Sequence, residues 1–188
     1  MTNAYKRKKQ PELVRKTLME QALRIALEQG LHAVTVQAVA DAAGVTKGGF
    51  LHHFASKQDL LDAIFHGLVG DLEARIDSLM ASDGEAYGSF TRAYVEAVME
   101  DGWEGDSPVK GGLSSLMIGD ARMRALWADW YNRRQERHRD TDGAEELCLL
   151  RLAADGIWLA RLSKVDLPDK AALRERLLQA TRPLQEVG

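Results

Sequence analysis

Cysteine is almost missing from this 188-residue chain. Cys148 stands alone, so no intramolecular disulfide can form, and a reducing cytoplasm is the expected setting. It lies in the apolar run 147–150 and reads as a packed, inert thiol, not a redox sensor. Also missing is any apolar run near the roughly 20 residues that a membrane-spanning helix needs. With 45% hydrophobic and 28% charged residues, the composition is that of a soluble globular protein, and no membrane partner is expected. The opening MTNAYKRKKQ is charged and has no apolar centre, so it does not read as a secretory signal. No segment alternates apolar and polar positions with β-branched residues, so no strand is expected. Internal repeats and low-complexity tracts are lacking too.

The chemistry of an enzyme is equally hard to find. There are no paired carboxylates at hydrolase spacing, no Ser-His-Asp constellation, no glycine-rich phosphate loop and no metal-ligand cluster. His66 and His138 stand apart. His52 and His53 are adjacent, but neighbours on a helix point about 100° apart, and no Cys or acidic residue joins them at helical spacing. The expectation is a protein without catalytic residues, cofactor or metal.

Charge is present and unevenly spread. Residues 1–57 hold nine Lys/Arg against four Asp/Glu, whereas residues 58–188 hold sixteen against twenty-four. A basic head on an acidic body is the electrostatic footprint of a DNA binder whose body stays off the duplex. Lys6, Arg7, Lys8 and Lys9 form a basic arm before Pro11, suited to phosphate or minor-groove contact; the alternative is a solubilising tail. Pro11 suits the first turn of a helix, predicted from about Glu12 to Glu28 and ended by Gly30.

Residues 35–57 read TVQAVADAAGVTKGGFLHHFASK. Thr35 can cap a short helix whose Val36, Val39, Ala40 and Ala43 share one face. Gly44 stands where a chain leaving a helix needs positive φ, and Thr46 caps a second helix running from Lys47 to about Phe54. Two short helices joined this tightly form a helix-turn-helix, presenting the second as a probe for the major groove. The alternative is a helical hairpin buried in a core. Gln37, near the start of the first helix, is a candidate contact to a base or phosphate, and Thr35 serves better as a cap than as a DNA ligand.

Gly30, Thr35, the run 39–45, Lys47-Gly48, His53-Phe54 and 56–60 together resemble the TetR family of bacterial transcriptional regulators, over roughly residues 12–65. The resemblance implies that Lys47, Gly48 and Gly49 open the recognition helix and face base edges, with Lys47 reading guanine. It implies that Lys57 contacts phosphate, aided by the positive end of its own helix. One position departs. Leu51 stands where the family often has Tyr, so a phosphate contact is missing or moved to His52. His53 is expected to pack, as are Phe50 and Phe54. The two glycines cost roughly 1 kcal/mol each in helix propensity, which suggests close backbone approach to the groove floor, or a first turn that orders only on DNA.

Beyond the head, Ser56 and Asp59 approximate a capping box on a helix running to about Met80, long enough at roughly 35 Å to link head and body. Further helices are predicted at 84–100, 108–118, 120–139, 143–164 and 168–182. The fold class is all-α: a three-helix head in residues 1–57 on a helical bundle in residues 58–188, about nine helices in all. Leu149, Ala153, Gly156 and Ala160 form a narrow stripe of small residues suited to close helix packing. With Leu173 and Leu177 on the last helix they would make a homodimer interface, of four helices as the resemblance suggests; the alternative is packing within one chain. The body's aromatics and thioethers, Tyr94, Met99, Trp103, Met117, Trp127, Trp130, Tyr131 and Trp158, suit a pocket for an apolar or aromatic ligand, with core packing as the alternative. Asp155 follows Arg151 by one turn, and an Arg–Asp pair is the expected arrangement, with a ligand-anchoring Asp155 as the alternative.

The reading is a regulator released from a palindromic double-stranded operator when a small effector binds the body. Two rivals remain open: a DNA-binding repressor or architectural protein without an effector, and an all-α enzyme or small-molecule carrier.

Overall fold

A computed structural model describes the backbone of residues 3–100, 116–117 and 119–182, with side chains from Pro11 onward in those ranges. Every regular element among the described residues is helical. They are α1 (Asn3–Gln29), a 3-10 turn (Leu31–Ala33), α2 (Val36–Ala42), α3 (Lys47–His53), α4 (Lys57–Ala81), α5 (Ser89–Met99), α6 (Ala121–Arg137), α7 (Arg139–Asp142), α8 (Glu145–Leu162) and α9 (Lys170–Ala180). The all-α expectation holds. The helix predicted at 108–118 lies almost wholly outside the described residues, as does Trp103. No helix is long and apolar enough to cross a membrane among the described residues.

These residues fall into two compact units, one within Met1–Val69 and Glu104–Leu126, the other within Gly70–Trp103 and Trp127–Gly188. By contacts, the division therefore differs from the charge-based one at residue 57. Helix α4 gives its first half to one unit and its second half to the other.

In the first unit α1 packs on α2 and α3, and α2 on α3. Leu18, Ala22, Leu23, Val39, Ala40, Phe50 and Phe54 are buried there, and the Phe50 and Phe54 rings lie 5.9 Å apart. Both phenylalanines are core, as expected. Helix α1 begins at Asn3, not near Glu12, and carries Pro11 inside it. Proline removes one backbone hydrogen bond and crowds the carbonyl four residues back. The Ala, Lys, Arg and Gln residues before it are strong helix formers and favour the helix on that side.

In the second unit α5 packs against α7, α8 and α9. Ten of its eleven residues are buried, so it is the central helix and its polar side chains must find partners inside. It begins at Ser89, five residues later than predicted, because Gly88 takes φ +72°. A Cβ on Gly88 would sit 2.6 Å from the Thr181 carbonyl oxygen, so close approach as well as backbone angle requires glycine. No side chain of its own caps this helix. The Asp142 carboxylate does so from α7, accepting from the Phe90 and Thr91 amides at 3.3 and 2.7 Å and from the Thr91 hydroxyl at 2.6 Å. Arg92 donates to Asp83 and to the Glu85 carbonyl, both at 2.7 Å. Asp83 and Glu85, on the segment leading into α5, thus present acceptors to a buried guanidinium. The predicted helix 120–139 likewise ends at Arg137, and His138 stacks on Phe90 with ring centroids 5.0 Å apart.

Candidate nucleic-acid interface and effector site

The turn between α2 and α3 is built from backbone groups. Gly44 takes φ +67°, its amide donates to the Asp41 carbonyl at 3.1 Å, and the Val45 amide donates to the Ala40 carbonyl at 3.0 Å. These are the two hydrogen bonds of a Schellman stop. Thr35 Oγ1 accepts from the Ala38 amide at 3.1 Å and Thr46 Oγ1 from the Gly49 amide at 3.0 Å, so both predicted caps are present. Each supports its helix by about 1 kcal/mol.

Thr35, Gln37, Lys47, Gly48 and His52 are exposed, and Gly49 is half-exposed. A Cβ on Gly48 would meet nothing nearer than Thr46 Oγ1 at 3.7 Å, and one on Gly49 would make ordinary contacts from 3.4 Å. Among the described residues nothing therefore requires glycine at Gly48. Leu51 is 45% exposed, beside His52 and not in the core. His53 is half-buried, and burial, then His52 and Arg15, hold its imidazole below the usual value. The side chains of Lys6, Arg7, Lys8 and Lys9 lie outside those described.

Three predicted groups are already engaged. Lys57 Nζ donates to the Leu31 carbonyl at 3.1 Å, tying the start of α4 to the 3-10 turn. An ammonium has three donors, so others are left for phosphate. The Gln37 amide donates to Asp41 at 2.7 Å. Asp59 accepts the Ser56 hydroxyl at 3.0 Å while its own amide donates back to Ser56 Oγ at 3.1 Å. The shorter carboxylate thus takes the hydroxyl in this cap, where Glu in a capping box takes the backbone amide.

Four of the predicted ligand residues come together in the second unit. Tyr94 and Tyr131 meet edge-on at 5.5 Å, Tyr131 stacks on Trp127 at 6.1 Å, and Trp127 lies 4.9 Å from Trp130. Met99 is buried on α5 and Trp158 half-buried on α8, while Met117 belongs to the first unit. The expected Arg151–Asp155 hydrogen-bonded pair is absent among the described residues. Buried Arg151 needs several acceptors and finds them elsewhere, at Thr91 Oγ1 (2.5 Å), the Asp142 carbonyl (3.3 Å) and Gln135 (3.4 Å). Asp155 accepts from the Tyr94 hydroxyl at 2.7 Å instead. Burial pushes its carboxyl up to about 6, against the lowering effects of Tyr94 and Arg151. Burial and the Asp155 charge push Tyr131 up to about 12, and Tyr94 well above its usual value. Cys148 is half-buried, less enclosed than expected.

On α8, Leu149 is 64% exposed, Ala153 and Gly156 are exposed and Ala160 half-exposed, as are Leu173 and Leu177 on α9. A Cβ on Gly156 would meet nothing within 4 Å. Among the described residues, therefore, nothing packs on the centre of the stripe. Leu152, Leu159, Leu162 and Val165 are exposed as well. Sequence reasoning misses these four, although their helical spacing from Leu149 is an available signal. It also misses Asp142, Arg92 and Thr91, for which no local pattern gives warning.

A capped helix, a glycine stop and an exposed second helix define a helix-turn-helix protein. Residues 18–64 match the family described as bacterial regulatory proteins, tetR family, and residues 88–182 match the tetracyclin repressor-like C-terminal domain. The chain belongs to the tetR family. The HTH-type transcriptional repressor KstR2 of Rhodococcus jostii (strain RHA1) is 37% identical over 90 residues, covering 48% of this chain and 42% of that protein. The match thus spans about two-fifths of that relative's length. A solved tetR-family structure from Streptomyces coelicolor A3 is similar with a TM-score of 0.68 at 21% identity, over 89% of this chain and 97% of that one. The multidrug binding protein EbrR, complexed with imidazole, gives 0.59 at 20% identity, over 92% and 97%. At these identities the likeness is one of fold.

Proposed function

We propose that this chain is a DNA-binding transcriptional repressor of the cytoplasm, acting as a homodimer on a palindromic operator and released by a small apolar or aromatic effector. One observation carries the DNA reading. The Lys47-Gly48 edge of α3 is exposed and Gly49 half-exposed, held by the Thr46 cap and the Gly44 stop, and no contact among the described residues explains the glycine at Gly48. Bare backbone at this edge lets α3 approach the groove floor while Lys47 donates to guanine. Leu51 replaces a phosphate donor with an apolar contact, suited to a thymine methyl. Lys57, Gln37, His52 and the 6–9 arm supply positioning contacts, and Thr35 holds α2 in place as its cap.

The dimer reading rests on the exposed apolar face of α8, whose occupant is a second copy. Two-fold pairing supplies the second half-site that one short recognition helix needs for useful affinity. The head is assigned to residues 1–57 and the effector and dimer functions to residues 58–188. An effector shifts DNA affinity only by its differential affinity for two arrangements of the protein, and α4, shared by both units, is the element through which they would be coupled. KstR2 is named a transcriptional repressor and EbrR a multidrug binding protein, which supports a repressor with an effector over the rival readings.

Selection of bound sequences from random duplex DNA by the purified protein tests this. A palindrome with half-sites one helical turn apart is expected. Enrichment of no sequence, with no salt-sensitive binding to any duplex, refutes it.

A further inference from the structure

The cations of α1 are not alike. Between Pro11 and Gln29 the helix carries Arg15, Lys16 and Arg24. Lys16 and Arg24 each meet a glutamate one turn on, Glu20 at 3.6 Å and Glu28 at 3.9 Å, the usual pairing on a solvated helix face. One turn after Arg15 stands Met19, and the guanidinium donates to its sulfur at 3.3 Å. A thioether is a weak acceptor and carries no charge. Among the described residues Arg15 therefore has no carboxylate partner, and most of its donors stay open.

The same guanidinium is held in place. Arg15 Cζ lies 4.8 Å from the centroid of the Phe54 ring, and Phe54 is a buried residue at the C-terminal cap of α3. A cation over a ring is attracted by the ring's quadrupole, so α1 delivers a positioned charge to the end of the recognition helix. His53, the last residue of α3, feels that charge, and His52 meets His53 edge-on at 5.3 Å. Burial is the first cause holding His53 below its usual value, followed by His52 and Arg15. Its imidazole is thus neutral at pH 7, and the permanent charge beside it is that of Arg15. A guanidinium is planar and forked, matching two phosphate oxygens at once.

We propose that Arg15 binds the DNA backbone, gripping one phosphate at the end of α3 where His52 and His53 lie. This rests on the DNA-binding reading above. Phe54 and Met19 aim the fork, and the open donors take the phosphate. The contact supplies a donor of the kind that Leu51 withholds. It carries no base information and acts alike on every sequence.

Salt titrations of duplex binding by the full chain test it, read by fluorescence anisotropy on a labelled mixed-sequence duplex. Arg15→Met keeps an unbranched stem against Phe54 but no charge. Its slope of log affinity against log salt should be shallower by about one unit for each bound head. Arg15→Lys keeps a charge and should keep the slope. Preference for the sequence recovered by selection should stay within about twofold of the original in both variants, as for a contact to the backbone alone. Circular dichroism melting shows whether each variant is folded, and Arg15→Gln replaces Arg15→Met if the methionine variant is not. An unchanged slope in the charge-free variant, or an equal loss in Arg15→Lys, makes Arg15 a packing residue alone; the proposal then fails and the DNA-binding reading stands. If the unaltered chain shows no salt-sensitive binding to any duplex, that reading fails and the proposal with it.

Discussion

Asp155→Asn should stabilise the protein at neutral pH and leave it unimproved in acid. Folding moves this carboxyl from an ordinary value near 3.8 to about 6, with burial as the main cause. Each pH unit separating those two values is worth about 1.4 kcal/mol, so the ionised side chain costs the folded state about 3 kcal/mol at pH 7. The sign follows from proton binding. Between about pH 4 and pH 6 the folded protein holds a proton that the unfolded chain has lost, so stability falls as pH rises through this window and is flat above it. Asparagine does not titrate, keeps nearly the same shape and still accepts from Tyr94. The groups facing Asp155 are Tyr94 on α5, Tyr131 on α6 and Arg151 on its own helix. Both tyrosines are pushed upward, so none of the three titrates in the window. Burial pushes Asp62 and Asp83 up, but hydrogen bonds outweigh it and hold both low, from Gln58 and Arg122 to Asp62 and from Arg92 and the Glu85 amide to Asp83, so they contribute the opposite slope. They do so equally in both proteins and cancel in the difference. Urea unfolding followed by far-UV circular dichroism, at one protein concentration from pH 4 to pH 7.5, gives that difference directly. It should grow by up to about 3 kcal/mol between pH 4 and pH 7 in favour of the variant. A difference that stays constant, or a variant that grows relatively weaker as pH rises, refutes the picture of a carboxylate that burial destabilises more than its partners restore.

Gly48→Ala should raise the melting temperature slightly, since alanine is favoured by up to about 1 kcal/mol in a helix and the site has room for a Cβ. Operator affinity, by fluorescence anisotropy, should fall at least about tenfold if bare backbone meets the groove; unchanged affinity refutes that contact. Leu149→Arg should give a folded monomer by sedimentation and circular dichroism, because Leu149 is exposed in the single chain and a charge there opposes only pairing; a persistent dimer moves the interface elsewhere. Lys57→Ala should weaken binding to all duplexes alike and reduce the salt slope by about one unit, whereas Lys47→Ala should relax preference at one base pair per half-site. Identical behaviour of the two variants removes the distinction between reader and anchor.

Legibility from sequence follows the range of the interactions. Thr35, Gly44 and Thr46 act on backbone groups within five residues, so spacing alone locates the caps and the stop. Phe50 and Phe54 are equally plain because their apolar pattern is local. Lys57 reads as a phosphate contact, yet its partner in the chain is a carbonyl 26 residues away, and no local pattern announces such a bond. The start of α5 is misplaced for the same reason. Its cap, Asp142, comes from 51 residues further along the chain, and the sequence between 84 and 88 looks helical until Arg92 and Thr181 are set beside it. Asp155 is misread because Arg151 stands one turn away, and helical spacing favours pairing them. Three acceptors from α5, α6 and the end of α7 draw the guanidinium off instead. That diversion leaves Asp155 with the Tyr94 hydroxyl as its hydrogen-bond partner among the described residues, while Arg151 acts on it through space. Departures of this kind occur at strained or functional positions, and here they show that one turn of helical spacing is a poor guide to pairing when a buried guanidinium has acceptors on three other elements.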